Sequence, residues 1–199
     1  MCRIVGPAII SIELGANAEE YNARYGEVLA LRPARCPACQ ATRINVHDWY
    51  PRWAAYLDRD IRIRIRRFRC TGCRKTIAAL PSFLHRCRQY ALAVIGSVVV
   101  GRCVEGKPWS QLGPSRRTAG RWWQAFQAQA AVWLAATQAA LAVASPGASD
   151  LDPHEQPHRP PVALLRVGRI FANWLAPGCA DWLRVMWCWG WNAGIGRLM

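Results

Sequence analysis

Two Cys-x-x-Cys pairs are the feature that most constrains the fold of this chain. The first pair, "CPAC", contains Cys36 and Cys39, and the second, "CTGC", contains Cys70 and Cys73. Two intervening residues let a tight turn direct both sulfurs at one ion, and two such turns make a tetrahedral four-cysteine zinc site. The pattern therefore predicts a zinc ribbon in which these four cysteines bind Zn²⁺.

The residues around the cysteines favour a metal site over two alternatives. One alternative is four ordinary reduced cysteines. The other is dithiol redox chemistry, which needs only one pair and usually a helix that begins at the first cysteine. Pro37 and the presence of two pairs favour metal, and the small residues Ala38 and Gly72 are expected where each turn bends sharply. Bound zinc would stabilise such a region by about 10–16 kcal/mol.

The other cysteines do not indicate a metal site, but they bear on the redox state of the compartment in which the protein is expected. They are isolated in the sequence and are interpreted as core or incidental residues: Cys2, Cys87, Cys103, Cys179 and Cys188. Because no secretory signal precedes them, we expect a reducing cytoplasm, with the protein associated with the nucleoid, and no disulfide framework. No window has the roughly eighteen uninterrupted apolar residues of a membrane helix, so we expect no membrane span.

Isoleucine and arginine alternate along residues 60–70, "DIRIRIRRFRC". A period of two is typical of a strand, so the three isoleucines are expected to face a small core and Arg62, Arg64 and Arg66 the solvent. The segment Ile44–Trp53, "INVHDWYPRW", supplies a second strand. Together the two segments predict a hairpin between the cysteine pairs, with a row of arginines beside the metal site.

Positive charge is concentrated in the middle of the chain. Of a net charge of +14, residues 61–149 carry fourteen basic side chains and one acidic one, Glu105. A row of like charges repels itself unless an anion lies across it, which predicts nucleic acid as the partner. The side chains expected to contact it are Arg62, Arg64, Arg66, Arg67, Arg69, Arg74, Lys75, Arg116, Arg117, Thr118 and Arg121.

Residues 81–144 have the pattern of helices. Apolar residues at spacings of mostly three and four predict an amphipathic helix with Ser82 as N-cap, ending near Gly101 or Gly106. A short helix over Trp109–Leu112 is expected to follow.

A long alanine-rich helix is expected after the Gly113-Pro114 turn, with Ser115 as its N-cap. Its first turns carry arginines, which oppose the helix dipole. A short helix, a turn and a helix with basic first turns is the plan of a helix-turn-helix, in which the start of the second helix enters the major groove. Helical core or dimer packing is the alternative.

These patterns together predict an α+β fold. It consists of a small four-cysteine zinc ribbon of β-hairpins, an all-α helix-turn-helix-like domain and a poorly ordered C-terminal tail. The expected divisions are an N-terminal strand and helix extension (1–30), the ribbon (31–80), the helical domain (81–144), a linker rich in Pro, Gly and Ser (145–161) and a tryptophan-rich tail (162–199).

The segments "CPAC", "HDWYPRW", "RIRIRRFRCTGCRKT", "LPSFLHRCRQY" and "SRRTAGRWWQAF" resemble the N-terminal zinc-ribbon and helix-turn-helix region of bacterial insertion-sequence transposases. They also resemble short bacterial proteins built from that region alone. The resemblance covers about residues 31–126. It implies that the four cysteines bind zinc and that the helical domain binds transposon-end or operator DNA.

The sequence departs from a complete transposase in its acidic residues. Transposase catalysis needs three separated carboxylates on a sheet to hold two metal ions. After Glu105 the chain has only Asp150, Asp152, Glu155 and Asp181, and three of these lie in the linker. We therefore expect no enzymatic activity from this chain alone.

The sequence leaves three functions open. The first is a zinc-dependent protein that binds duplex DNA, as a transposase-related module or a small regulator, with a second copy of the chain or a transposase subunit as a further candidate partner. The second is an RNA-binding ribbon in which Trp49, Tyr50 and Trp53 stack on unpaired bases. The third is a structural adaptor that binds a partner protein or a membrane surface through the alanine-rich helix and the tail.

Overall fold

The computed structural model of this chain describes residues 8–86, 88–144, 160–179, 181–193 and 195. The fold is α+β, with a four-stranded sheet followed by helices, as the sequence predicts. The chain divides into two compact units, Met1–Ala91 and Leu92–Met199. Each unit is described by itself.

The first unit contains the whole sheet. Its elements are β1 (Ala8–Ile12), α1 (Ala18–Ala23), a 3₁₀ turn (Tyr25–Leu29), β2 (Ile44–Ala55), β3 (Asp60–Cys70) and β4 (Thr76–Pro81). The strands lie in the order β1-β4-β3-β2. Strand β1 runs parallel to β4, whereas β4 and β3, and β3 and β2, are antiparallel.

The predicted hairpin is present, and it is part of a larger sheet than the sequence indicated. Strand β3 has the predicted bounds, and β2 extends two residues beyond Trp53, to Ala55. The N-terminal segment is part of the same sheet because β1 pairs with β4. The residues expected to form a separate extension therefore help to build the core around the cysteines.

The alternation along β3 sorts its side chains as predicted up to Ile65. Ile63 and Ile65 are buried, whereas Arg62 and Arg64 are exposed. The alternation then shifts, because Phe68 is the next buried residue. The shift coincides with an irregular pairing in which two residues of β2, His47 and Asp48, lie opposite the single residue Arg67. Such a β-bulge bends the strand and increases its local twist.

The predicted start of the first long helix, at Ser82, is wrong. The helix begins ten residues later, at Leu92, and the Ser82 hydroxyl donates to a carboxylate oxygen of Glu13 at 2.9 Å instead of capping a helix. Contacts with β2 hold the segment before Leu92. Ala55 exchanges backbone hydrogen bonds with Gln89 and Ala91 at 2.9 and 3.0 Å.

The guanidinium of Arg52 fixes the same segment from the side. It donates to the carbonyl oxygens of His85 at 2.5 Å and Arg86 at 3.4 Å, and also to that of Arg88. These carbonyl oxygens accept hydrogen bonds from a side chain of β2. They therefore do not begin the series of backbone hydrogen bonds of an α-helix. A tertiary interaction has overridden the helical pattern of this stretch.

The second unit is helical. Its elements are α2 (Leu92–Cys103), a 3₁₀ turn (Trp109–Gln111), α3 (Arg116–Ala144), α4 (Pro160–Leu175) and α5 (Trp182–Asn192). The short helix and the long helix lie where the sequence predicts them. The predicted linker lies outside the described residues up to position 159. The sequence analysis assigned no helix to the tail, and the structure places α4 and α5 there.

One stripe of α3 forms the core of the second unit. Its buried residues recur at spacings of three and four: Ala119, Trp122, Phe126, Ala130, Trp133, Thr137 and Leu141. That spacing places them on one face of a helix. The stripe meets aromatic residues from the tail, since Trp133 packs edge-on against Trp189 with their ring centroids 6.2 Å apart. None of the helices that the structure describes is long and apolar enough to cross a membrane.

Gly190 of α5 packs closely against Trp133 of α3. A β-carbon added to Gly190 would lie 2.0 Å from the ring of Trp133, which is fully buried. We expect Gly190→Ala to lower the free energy of unfolding by about 1–3 kcal/mol, because the ring has no room to move. Thermal or urea unfolding measures the loss.

Gly120 is the matched control for this substitution. It also lies within a helix, but an added β-carbon would meet nothing within 4 Å. We expect Gly120→Ala to raise the free energy of unfolding by about 0.5–1 kcal/mol, since alanine loses less conformational freedom on folding. Equal effects of the two substitutions would contradict the packing of Gly190 against Trp133.

Candidate functional site

Four cysteines converge at one end of the hairpin in the first unit. Cys36 and Cys39 lie in the loop that precedes β2, Cys70 is the last residue of β3, and Cys73 lies in the turn before β4. Backbone hydrogen bonds shape both turns: Gln40 donates to the carbonyl of Cys36 at 2.8 Å, and Cys70 donates to that of Lys75 at 3.0 Å. The main chain thus folds each pair into a turn that points its sulfurs inward.

The sulfur positions fit a single metal ion. The sulfurs of Cys36 and Cys73 are 3.7 Å apart, those of Cys39 and Cys70 are 3.6 Å apart, and all four lie within 4.8 Å of one another. A tetrahedral ion with metal–sulfur bonds of about 2.3 Å requires sulfurs roughly 3.8 Å apart. Among the residues that the structure describes, this is the group of Cys, His, Asp and Glu side chains that could hold a metal ion.

The two turns share a backbone feature that the sequence analysis did not identify. Gln40 and Arg74, which directly follow the second cysteine of each pair, have φ angles of 63° and 58°. This left-handed conformation is uncommon for residues other than glycine. Ala38 and Gly72 lie within the turns as expected. Gly72 leaves little room for a side chain, because an added β-carbon would lie 3.1 Å from the β-carbon of Ala41.

The thiols of the cluster differ in acidity. The backbone N–H of Cys73 donates to the sulfur of Cys70 and lowers the pKa of that thiol to about 7. At Cys39 the backbone N–H of Ala41 favours the thiolate, but contact with the sulfur of Cys73 and the other two sulfurs outweighs it and raises the pKa to about 11. Thiolates this close together repel, so a cation is needed to keep all four deprotonated.

Basic side chains lie along β3, before the second cysteine pair, and in the turn after that pair. Arg62, Arg64, Arg69, Arg74 and Lys75 are exposed. They have no acidic partner within the described ranges, where the ion pairs formed involve other basic residues. This surface therefore carries charge that the first unit does not neutralise.

Arg67 differs from the other predicted contact residues because it has an internal partner. Its guanidinium makes a two-pronged hydrogen bond and ion pair with the carboxylate of Asp48, in the bulge of β2. The Arg67 guanidinium lowers the pKa of the Asp48 carboxyl through that hydrogen bond. The sequence could not place this pair, because it depends on the bulge that brings Asp48 opposite Arg67.

Aromatic rings hold two arginines of the strand. The guanidinium of Arg64 lies 5.0 Å from the ring centroid of Tyr25 and 5.7 Å from that of Trp49. The guanidinium of Arg66 lies 5.4 Å from the same Tyr25 ring. The sequence analysis missed Tyr25, because the residue is far away in the chain and reaches β3 only through the packing of the N-terminal helical segment.

A second group of predicted residues lies at the start of α3. The hydroxyl oxygen of Ser115 accepts a hydrogen bond from the backbone N–H of Thr118 at 3.3 Å, so Ser115 caps the helix as predicted. The Ser115 hydroxyl also donates to the Thr118 hydroxyl at 3.0 Å. Thr118 thus takes part in the cap through both hydrogen bonds. It is half-buried, whereas the neighbouring Arg116 and Arg117 are exposed.

The arginines of this helix start lie along an open cleft. Arg116, Arg117 and Arg121 are exposed and line a cavity of about 610 Å³ together with Trp109. No ion pair within the described parts of the chain involves these three residues. The cleft is therefore a concave surface with three unpaired positive charges.

The comparisons with known proteins found one match. Residues 36–122 match the model of a family described as "Domain of unknown function (DUF6431)". No curated protein and no solved structure gave a significant match. The matched segment begins at the first cysteine of the cluster and ends at Trp122, after the three arginines of α3. It therefore includes the four-cysteine cluster and both basic surfaces.

Proposed function

We propose that this chain is a zinc-dependent DNA-binding protein without a catalytic domain of its own. It would act as a module of a transposition system or as a small regulator. The observation that carries the proposal is the exposure of Arg116, Arg117 and Arg121 along one cleft at the start of α3, with no acidic partner in the described residues. Duplex DNA is a polyanion whose major groove admits a helix.

The donor set supports zinc as the metal. Four thiolates form a soft, closed shell, which is the usual composition of a structural zinc site. The sulfur separations of 3.6 and 3.7 Å agree with the roughly 3.8 Å of a tetrahedral zinc–thiolate centre. When bound, the ion would join the loop before β2 to the end of β3, and so stabilise the strand that carries the basic residues.

The helix arrangement supports DNA over an incidental basic surface. Cations in the first turn of a helix oppose the dipole, at a cost of about 0.3–1 kcal/mol each, so Arg116 and Arg117, the first two residues of α3, are unfavourable there unless an anion binds. The helix α2, the 3₁₀ turn Trp109–Gln111 and α3 follow one another in the order of a helix-turn-helix. Gly113, with a φ angle of 84°, supplies the turn before α3.

The two basic surfaces would divide the work on DNA. Arginines in the first turns of a groove-bound helix can make bidentate contacts with guanine, so the α3 residues are proposed to read bases. Three exposed basic residues of the first unit, Arg69, Arg74 and Lys75, are proposed to contact phosphates of the duplex, which adds affinity without sequence preference.

Metal analysis tests the zinc centre. We expect one zinc ion per chain in purified protein, measured by inductively coupled plasma mass spectrometry, and loss of the ion in Cys73→Ser. Chelation should unfold the first unit, because the binding free energy contributes directly to folding. Zinc affinity should fall as the pH falls, since protons compete for the thiolates.

Cys179→Ser is the matched control for the zinc experiment. Cys179 is half-buried like Cys73, and it lies outside the cluster. It should keep a full complement of zinc. Purified protein without zinc, or equal loss of zinc in the two variants, would contradict the site.

Salt dependence tests DNA binding. We expect the affinity for a blunt duplex to fall steeply between low and moderate salt, because binding releases counterions from the phosphates. Arg117→Ala and Arg121→Ala should each weaken binding to a preferred duplex by roughly 1–3 kcal/mol. Fluorescence anisotropy with a labelled duplex, selected from a random library, measures both effects.

Arg169→Ala controls for the loss of one charge. Arg169 is exposed on α4 and has no charged partner in the described part of the chain. Its removal should change the affinity far less than removal of Arg117 or Arg121. A flat salt titration, or equal losses for the three variants, would rule out the α3 surface.

A further inference from the structure

A second surface, on the hairpin of the first unit, has features that a duplex does not use. An open cleft of about 480 Å³ is lined by Asn22 of α1, Trp49 of β2 and the segment 62–64 of β3. The volume lies in the range of small-molecule sites in proteins. The cleft combines one exposed indole with two arginines, and this combination is typical of sites for unpaired bases.

Trp49 keeps nearly half of its surface exposed. Its exposed fraction is 45%, although the guanidinium of Arg64 lies 5.7 Å from its ring centroid. Arg64 in turn lies 5.0 Å from Tyr25, so two rings hold its guanidinium. The indole and the guanidinium are thus positioned together, which lowers the conformational entropy lost when a ligand contacts both.

Tyr25 and Arg66 add donors that lack an acceptor. The Tyr25 hydroxyl and the Nε atom of Arg66 are shielded from solvent and have no hydrogen-bond partner among the described residues. The Arg66 guanidinium lies 5.4 Å from the Tyr25 ring centroid, next to that of Arg64. Arg64 and Arg66 thus share one ring, and neither forms an ion pair within the described residues.

We propose that this cleft binds an unpaired nucleotide of a single strand. The base stacks on the exposed part of Trp49, and the adjoining phosphate binds the guanidinium groups of Arg62 and Arg64, which line the cleft. The inference rests on the proposed function, in that the ligand is a nucleic acid. It adds a single-strand site in the first unit, separate from the duplex site on α3. A duplex hides its base faces in the stack, so it cannot use the indole in this way.

Binding of short single strands tests the site. The probes are labelled oligothymidine and oligouridine of twelve nucleotides and a blunt duplex, each titrated with full-length protein by anisotropy. We expect Trp49→Ala and Arg64→Ala each to weaken single-strand binding by about tenfold or more, as for the loss of one base–aromatic contact. The affinity for the duplex should stay within about threefold of that of the native protein, because a duplex does not stack a base on Trp49.

The controls separate this site from other exposed rings and from misfolding. Trp174→Ala removes an indole of similar exposure, 49% against 45%, from α4, and should leave single-strand binding unchanged. Trp49→Phe keeps an aromatic ring and should retain most of the affinity. Unchanged metal content and circular dichroism establish that Trp49→Ala and Arg64→Ala fold.

The outcomes distinguish this site from the duplex proposal. Binding of oligothymidine or of oligouridine that is lost in both variants supports the site. Native single-strand affinity in Trp49→Ala and Arg64→Ala overturns it, as does duplex binding without any single-strand binding. Equal losses for single strand and duplex also overturn it, since the surface would then serve the duplex. Single-strand binding without duplex binding refutes the α3 site alone.

Discussion

The convergence of four cysteine sulfurs within 4.8 Å is the constraint on which the first unit depends. It joins the loop before β2 to the end of β3, where Ile44 pairs with Cys70. That pairing starts the register of the whole hairpin, and the bulge after Val46 then sets Trp49 opposite Arg66. Any metal bound by the thiolates would therefore also fix where the strand's arginines and the indole lie.

The hairpin accommodates part of its positive charge in two ways that differ in strength. Arg67 has a carboxylate partner, Asp48. Arg64 and Arg66 lie against aromatic rings, contacts that contribute only about 0.5–1 kcal/mol each at exposed sites. The remaining exposed residues, such as Arg62 and Arg69, have neither among the described contacts. Neutralisation is thus incomplete, and the repulsion that remains is what an anionic ligand would relieve.

Patterns that depend on neighbouring residues could be predicted from the sequence, whereas pairings between distant segments could not. The bounds of β3, the convergence of the cysteines and the Ser115 cap follow from period-two alternation, fixed spacing and local hydrogen bonding. The parallel pairing of β1 with β4 and the approach of Tyr25 to β3 leave no local signal. The prediction that a helix starts at Ser82 is wrong for the same reason. Its backbone carbonyls accept from Arg52, a residue more than thirty positions away.

The two groups of arginines differ in how they are held, and this difference bears on what each can bind. Aromatic rings lie against the guanidiniums of Arg64 and Arg66, so these groups have less rotamer freedom than arginines without such a contact. None of the cation–π contacts in the described residues involves Arg117 or Arg121, which extend from the first turns of a helix into solvent. Fixed cations beside an exposed ring suit a phosphate and its adjoining base at one defined spacing. Free cations on a helix can instead adjust to base edges in a groove, where the fit differs from one sequence to the next.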